Sequence, residues 1–220
     1  MCGPPSVSEG IAAMVKQERA ARTRQALVRA AAEVFAREGF APASLAVISA
    51  RAGVSNGALH FHFENKNALA RAVEQEAAER LGVIIAPGPV LPGGALQALV
   101  DATHVLMGAL ADDVVVRAGF DLSADPSRPG GPDLRGVWRG WVERMLHDAE
   151  REGHLAEGLS SRGAAPAVVA ATVGFEVLGA ADREWLSACK ITGFWELMLP
   201  RLAPGLPIVP AGPHGTPTPQ

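Results

Sequence analysis

The sequence predicts an all-α fold, with a small three-helix unit at the N-terminus joined to a larger helical body. Three observations predict it. Apolar residues recur at helical spacing behind Ser or Asn caps. No alternating apolar/polar run is long enough to argue for a sheet. Gly- and Pro-rich breaks punctuate the chain at helix-length intervals. At 220 residues, 48% of them apolar, the chain holds one domain with a real core or a small domain on a larger one.

The elements follow in order. Residues 1–13 and 203–220 are rich in Gly, Pro and Ser and are expected to be disordered. Between them, 16–39 places Leu27, Ala30, Ala31, Val34 and Phe35 on one face and stops at Gly39. Ser44 caps a helix that ends near Gly53, Ser55 caps a second short helix, and Asn65 caps a long one from Lys66 to about Ile84. The clearest linker is "APGPVLPGG" (86–94). Helices are expected at about 95–111, 113–123, 134–153, 165–180 and 183–201, with breaks at "SADPSRPGGPD" and "EGHLAEGLSSRG". The domain reading is therefore 14–66 and 67–202.

The net charge of −3 hides an asymmetry. Residues 1–71 carry nine Lys/Arg against five Glu, a net of +4, whereas residues 72–220 carry eleven Lys/Arg against eighteen Asp/Glu, a net of −7. A basic head on an acidic body suggests that a polyanion is met by the N-terminal part. Cys2 and Cys189 make no disulfide framework, which suits a reducing cytoplasm. No signal peptide is evident, and the longest nearly uncharged run, around 164–175, is too short for a bilayer; no membrane is expected.

Residues 44–62 carry the first motif. Two helices of about two turns meet at Ala52-Gly53-Val54, a connection so short that they must cross steeply. Leu45, Ile48, Leu59 and Phe63 then face inward onto Val34 and Phe35. Ser55, Asn56, Gly57, His60 and Phe61 remain outward, a short polar set able to approach a DNA major groove. Asn56 both donates and accepts, so it can read an adenine edge. Lys66 stands at a helix start, where the macrodipole disfavours a cation. With the free N–H groups there it forms an anion site suited to a backbone phosphate.

The stretch "SLAVISARAGVSNGALHFHFENKNAL" makes residues 16–75 resemble the DNA-binding domain of TetR-type one-component repressors, with Ala52-Gly53-Val54-Ser55, Gly57, Leu59, His62-Phe63 and Lys66 at motif spacing. The resemblance implies that Ser44, Asn56, Gly57, His60 and Lys66 touch DNA, with Arg22 and Arg24 near the backbone and His62 packing within the domain. His60 stands where the family usually has tyrosine. A two-fold dimer on a near-palindromic double-stranded operator is implied. The apolar, small-residue-rich last two helices are its expected bundle, with Val173, Val177, Trp185, Phe194 and Trp195 as candidates.

Residues 113–155 go further. Val116-Arg117-Ala118-Gly119 with Leu122-Ser123, then Arg135-Gly136, Arg139 and Trp141, resemble the γ-butyrolactone receptor subgroup of streptomycete-type regulators. That resemblance implies that Trp141 walls a ligand pocket and that Thr172 offers it a hydroxyl. Leu134, Trp138, Trp141, Val142 and Met145 form an apolar stripe in their own right. A cavity lined by Trp141, Val115 or Val116, Phe120, Phe175 and Leu178, with Trp138 and Met145 beside it, suits a small apolar molecule bearing a carbonyl. "GALHFHF" and the acidic pI resemble its pseudo-receptor members, which implies an antibiotic or pathway intermediate as ligand, and Asp121 stands where the subgroup often has arginine. A ligand-independent regulator or activator stays open as the alternative.

An enzyme is not expected, since HExxH, G-x-S-x-G, G-x-G-x-x-G and P-loop patterns are all missing from the sequence. His60 and His62 point about 200° apart on a helix and cannot share a metal. No cofactor and no metal are expected.

Overall fold

The computed structural model describes residues 7–88, 93–128 and 130–207, and every regular element among them is a helix. The chain order is α1 (Val7–Glu38), α2 (Leu45–Arg51), α3 (Asn56–His62), α4 (Lys66–Ile84), α5 (Gly94–Asp112), α6 (Val114–Ser123), α7 (Leu134–Arg151), α8 (Ser161–Ala181), a 3₁₀ turn (Arg183–Leu186) and α9 (Ala188–Leu202).

The short helices of the head start where their caps predict. Ser44 Oγ accepts from the Ala46 N–H, Ser55 Oγ from Ala58 and Asn65 Oδ1 from Ala68. Gly53 closes the turn between α2 and α3 with φ +69°, a conformation that any side chain would strain.

Three boundaries depart from expectation. Helix α1 begins at Val7, so the expected disorder of residues 1–13 is corrected as far as residue 7; extending an existing helix needs no new nucleus. Helix α8 begins at Ser161, capped by Ser160, with Pro166 in its second turn. The single helix expected at 183–201 is broken, because Ser187 turns extended and caps α9 through the Lys190 N–H. The tail also packs further than expected: Ala203 is buried and Leu206 lies against the body core. Residues 1–6, 89–92, 129 and 208–220 lie outside the described residues.

Two apolar cores organise the molecule. The head core gathers Leu27, Val28, Val34, Ile48, Leu59 and Phe63 from α1–α3. The body core gathers Leu106, Met107, Leu134, Trp138, Trp141 and Trp195, with others from α5 and α7–α9. Two helices belong to both. Helix α4 gives Leu69, Ala70 and Val73 to the head and Ala77 and Leu81 to the body. Helix α6 gives Val115, Ala118 and Leu122 to the head and Val116 and Phe120 to the body. A Cβ on Gly119 would collide with the Ala77 Cβ, so α6 lies against α4 too closely for a side chain there. The head core therefore continues past the expected boundary at 66/67.

Helices α5 and α8 are long and apolar enough to cross a bilayer by length and composition alone, α8 being longer than the uncharged run suggested. Both pack within the body, α5 as a central core helix, and α8 leaves part of its apolar surface uncovered.

Candidate nucleic-acid interface and effector site

The outward set on α3 stands as the sequence places it. Ser55, Asn56, Gly57, His60 and Phe61 are exposed, with Phe61 81% exposed and set edge-on to the His62 ring. An apolar ring this exposed beside polar neighbours suits contact with thymine methyl groups. A Cβ on Gly57 would meet nothing closer than Ser55 Oγ at 3.9 Å, so the domain itself does not require glycine there. Ser44 is exposed as the cap of α2. The Arg24 guanidinium lies 5.3 Å from the Phe63 ring centroid, which holds it beside the end of α3. Arg22 is exposed and pairs loosely with Glu18 at 3.7 Å.

Two head residues have jobs the sequence reading missed. Asn56 Oδ1 accepts a 2.6 Å hydrogen bond from the buried Ser49 hydroxyl of α2. That bond uses one of the two lone pairs on the amide oxygen and fixes the orientation of the side chain, leaving the second lone pair and the amide N–H groups for a base edge. Lys66 is the clearer correction. Its ammonium donates to the carbonyls of Phe40, Ala41 and Ala43 at 2.8, 2.8 and 3.0 Å and lies 4.6 Å from the Phe40 ring centroid. An ammonium has three protons, and all three fasten the α1–α2 connection to the start of α4. No proton is left for a phosphate, so the misplaced cation at the helix start marks a structural clamp.

In the body, Trp138 and Trp141 stack at 5.3 Å, both nearly fully buried. Trp138 Nε1 donates to the Thr172 hydroxyl at 2.9 Å, and that hydroxyl donates to the Val168 carbonyl at 2.9 Å. Thr172 has one proton, already held by its own helix, so an incoming carbonyl must displace a bond to use it. Val116 and Phe120 lie in the same core, with Met145 half-buried against it; Val115 turns to the head instead. Leu178 is corrected: it is 45% exposed, on the outer face of α8. Phe175 is half-buried in a second aromatic group, 5.6 Å from Phe194 and 6.3 Å from Trp185.

The subgroup motifs acquire physical reasons. Gly136 donates its N–H to the capping Asp133 carboxylate at 2.8 Å, and a Cβ there would collide with that carboxylate. Arg135 grips the buried Glu176 of α8 through two bonds of 2.8 and 3.0 Å, tying α7 to α8. Asp121 is held above the usual carboxylate range, first by desolvation and then by repulsion from Glu176.

Sequence reading also missed a link between head and body. Glu74 of α4 is buried in a two-bond pair with Arg128, at 2.8 and 3.2 Å, and the Arg128 guanidinium lies 4.5 Å from the Phe40 ring centroid. The α6–α7 loop is thereby fastened to the residue whose carbonyl Lys66 holds. A signal was available: Glu74 falls on the apolar stripe of Ala70, Val73 and Ala77, where a carboxylate needs a buried partner.

The expected dimer candidates separate by burial. Trp195 is buried in the body core, Val177 and Trp185 are exposed, and Val173 and Phe194 are intermediate. Val177, Leu178, Trp185 and Leu197 form the exposed apolar residues of the α8–α9 end.

Comparison with known proteins agrees with this architecture. A family model described as bacterial regulatory proteins, tetR family, matches residues 27–73. The A-factor receptor protein of Streptomyces griseus is 33% identical over 196 residues, covering 88% of this chain and 68% of that one. The crystal structure of a γ-butyrolactone receptor (ArpA-like protein) superposes with a TM-score of 0.71 at 27% identity, over 85% of this chain and 91% of that one. CprB from Streptomyces coelicolor, solved in complex with its biological operator sequence, gives a TM-score of 0.71 at 28% identity over the same shares.

Proposed function

Because the chain belongs to the tetR family of bacterial regulatory proteins, we propose that it is a repressor released from a palindromic operator when a small, mostly apolar molecule enters its body. It is a DNA-binding transcriptional regulator related to the A-factor receptor and not an enzyme. In this reading α3 enters the major groove through Asn56, Gly57, His60 and Phe61. Ser44, Ser55, Arg22 and Arg24 position it, and a homodimer formed through α8 and α9 sets the spacing of the two heads. The protein works on double-stranded DNA in the cytoplasm, and its ligand is butyrolactone-like or an antibiotic or pathway intermediate of secondary metabolism.

The observation that carries this reading is the sharing of α4 and α6 between two cores. A molecule that parts Trp141 from Trp138 and enters the core they share with Val116 and Phe120 pushes on α6 and α7. Through the close Gly119–Ala77 contact it also pushes on α4, which starts beneath the head. Only a ligand that binds one arrangement better than the other shifts the balance. A coupling of about 1–3 kcal/mol weakens operator binding about 5- to 150-fold.

The test is a mobility-shift titration of a near-palindromic duplex, with and without a synthetic γ-butyrolactone or culture extract. Trp141→Ala should bind the duplex as the parent does and resist release. Release at unchanged ligand concentration overturns the effector assignment, and equal affinity for random DNA overturns the repressor reading.

A further inference from the structure

A cavity of about 360 Å³ opens at the seam between head and body, away from the stacked tryptophans. Its wall brings together Arg37 from α1, Arg51 from α2, Arg117 from α6 and Arg183 from the 3₁₀ turn, with Glu33 and Asp121 as its acids. The four guanidinium groups differ in how well they are neutralised. Arg51 is paired with Glu33, which Arg29 also approaches at 3.5 Å. Among the described residues Arg37 pairs only with its chain neighbour Glu38. Arg117 and Arg183 pair with no carboxylate among the described residues.

Both of the latter meet the C-terminal end of α5. Arg117 Nη1 donates to the Leu110 and Ala111 carbonyls at 3.0 Å each, and Arg183 Nη1 donates to the same Ala111 carbonyl at 2.8 Å. The other nitrogens of both groups have no protein acceptor among the described residues. Two like charges therefore converge on one carbonyl with donors to spare. Burial first, and then repulsion from Arg183, push Arg117 below its ordinary range, while Asp121, Asp113 and Asp112 offset this only in part. Asp121 is itself held above the usual carboxylate range, first by desolvation, and makes no ion pair with either guanidinium among the described residues.

We infer that this cavity binds a small molecule bearing a phosphate monoester, whose oxygens bridge Arg117 and Arg183 of the body to Arg37 of the head. Guanidinium forks match tetrahedral oxyanions with paired hydrogen bonds. The volume lies in the range of small-ligand sites, about 300–1,000 Å³, and leaves room for more than a bare anion. Duplex DNA is the less suitable occupant, because Val114, Arg117, Ala180 and Arg183 of the body form much of the wall and a duplex seated on α3 would have to reach past the head. Bridging fixes the head against the body, so occupancy and operator binding become linked; that consequence, unlike the binding itself, rests on the regulator reading above.

The test is calorimetric titration of the full-length protein with adenosine 5′-monophosphate and with inorganic pyrophosphate, against adenosine and against sodium chloride at matched ionic strength. Both phosphates should bind once per protomer and adenosine should not. Arg183→Gln, on an exposed turn, should weaken binding at least tenfold, and Arg37→Gln serves as the second variant should the first not fold. No binding above the salt control overturns the proposal, as does equal binding by the variants. It is also overturned if Arg183→Gln changes only the salt dependence of operator binding, a DNA contact, or only the oligomeric state, a partner contact.

Discussion

Replacing Arg128 by alanine tests the link between head and body most directly. The guanidinium and the Glu74 carboxylate share two hydrogen bonds, with side chains 6% and 1% exposed. Removing the cation leaves a carboxylate in the interior with no counter-charge, which destabilises by about 3–5 kcal/mol. Loss of the stacking on Phe40 adds about 0.5–2 kcal/mol. The closest loop backbone makes repair by relaxation difficult: a Cβ on Gly131 would already stand 2.9 Å from Glu74 Oε1. The pair itself need not stabilise the fold, because two buried charges lose their hydration before they attract each other. Arg128→Met with Glu74→Leu should therefore recover most of the loss. The assay is urea unfolding at fixed protomer concentration, since a dimer's stability depends on concentration. The single variant should fall by at least 3 kcal/mol and the double variant should lie well above it. A single variant within about 1 kcal/mol of the parent, or a double variant no better than the single, refutes the buried-pair account.

Gly57→Ala should leave the unfolding midpoint unchanged or raised, since the site has room and alanine favours helix, while operator affinity drops at least tenfold. Unchanged affinity would mean that α3 does not approach the duplex closely there. Lys66→Met should destabilise by more than about 2 kcal/mol through three lost bonds to a charged donor, with the salt dependence of DNA binding unaltered. A salt slope lower by about 0.9 would restore the phosphate role. Asp121 is raised in the folded state, so the fold holds its proton more tightly than the unfolded chain, and stability is lost as pH rises through that window. Asp121→Asn should accordingly stabilise at neutral pH, with the gain fading as the pH falls into the carboxylate range; a gain equal at every pH contradicts this. Leu178→Asp, on the uncovered face of α8, should shift sedimentation toward monomer, and an unchanged dimer would place the interface elsewhere.

The sequence by itself determined the local structure of the head. Caps and turn chemistry act within four residues, so Ser44, Ser55, Asn65 and Gly53 announce α2, α3, α4 and the turn without help from the rest of the chain. The outward set on α3 and the apolar stripe of α7 were legible for the same reason, as periodicity on one helix. Partners distant in the chain were not legible. The three carbonyls that hold Lys66 come from 23 to 26 residues upstream, Arg128 meets Glu74 across 54, and Trp138 meets Thr172 across 34. Whether a cation is free for DNA, a hydroxyl free for a ligand, or Leu178 inward or outward depends on where the helices pack. Packing is decided by surface burial summed over the whole chain, and no single stretch carries that information.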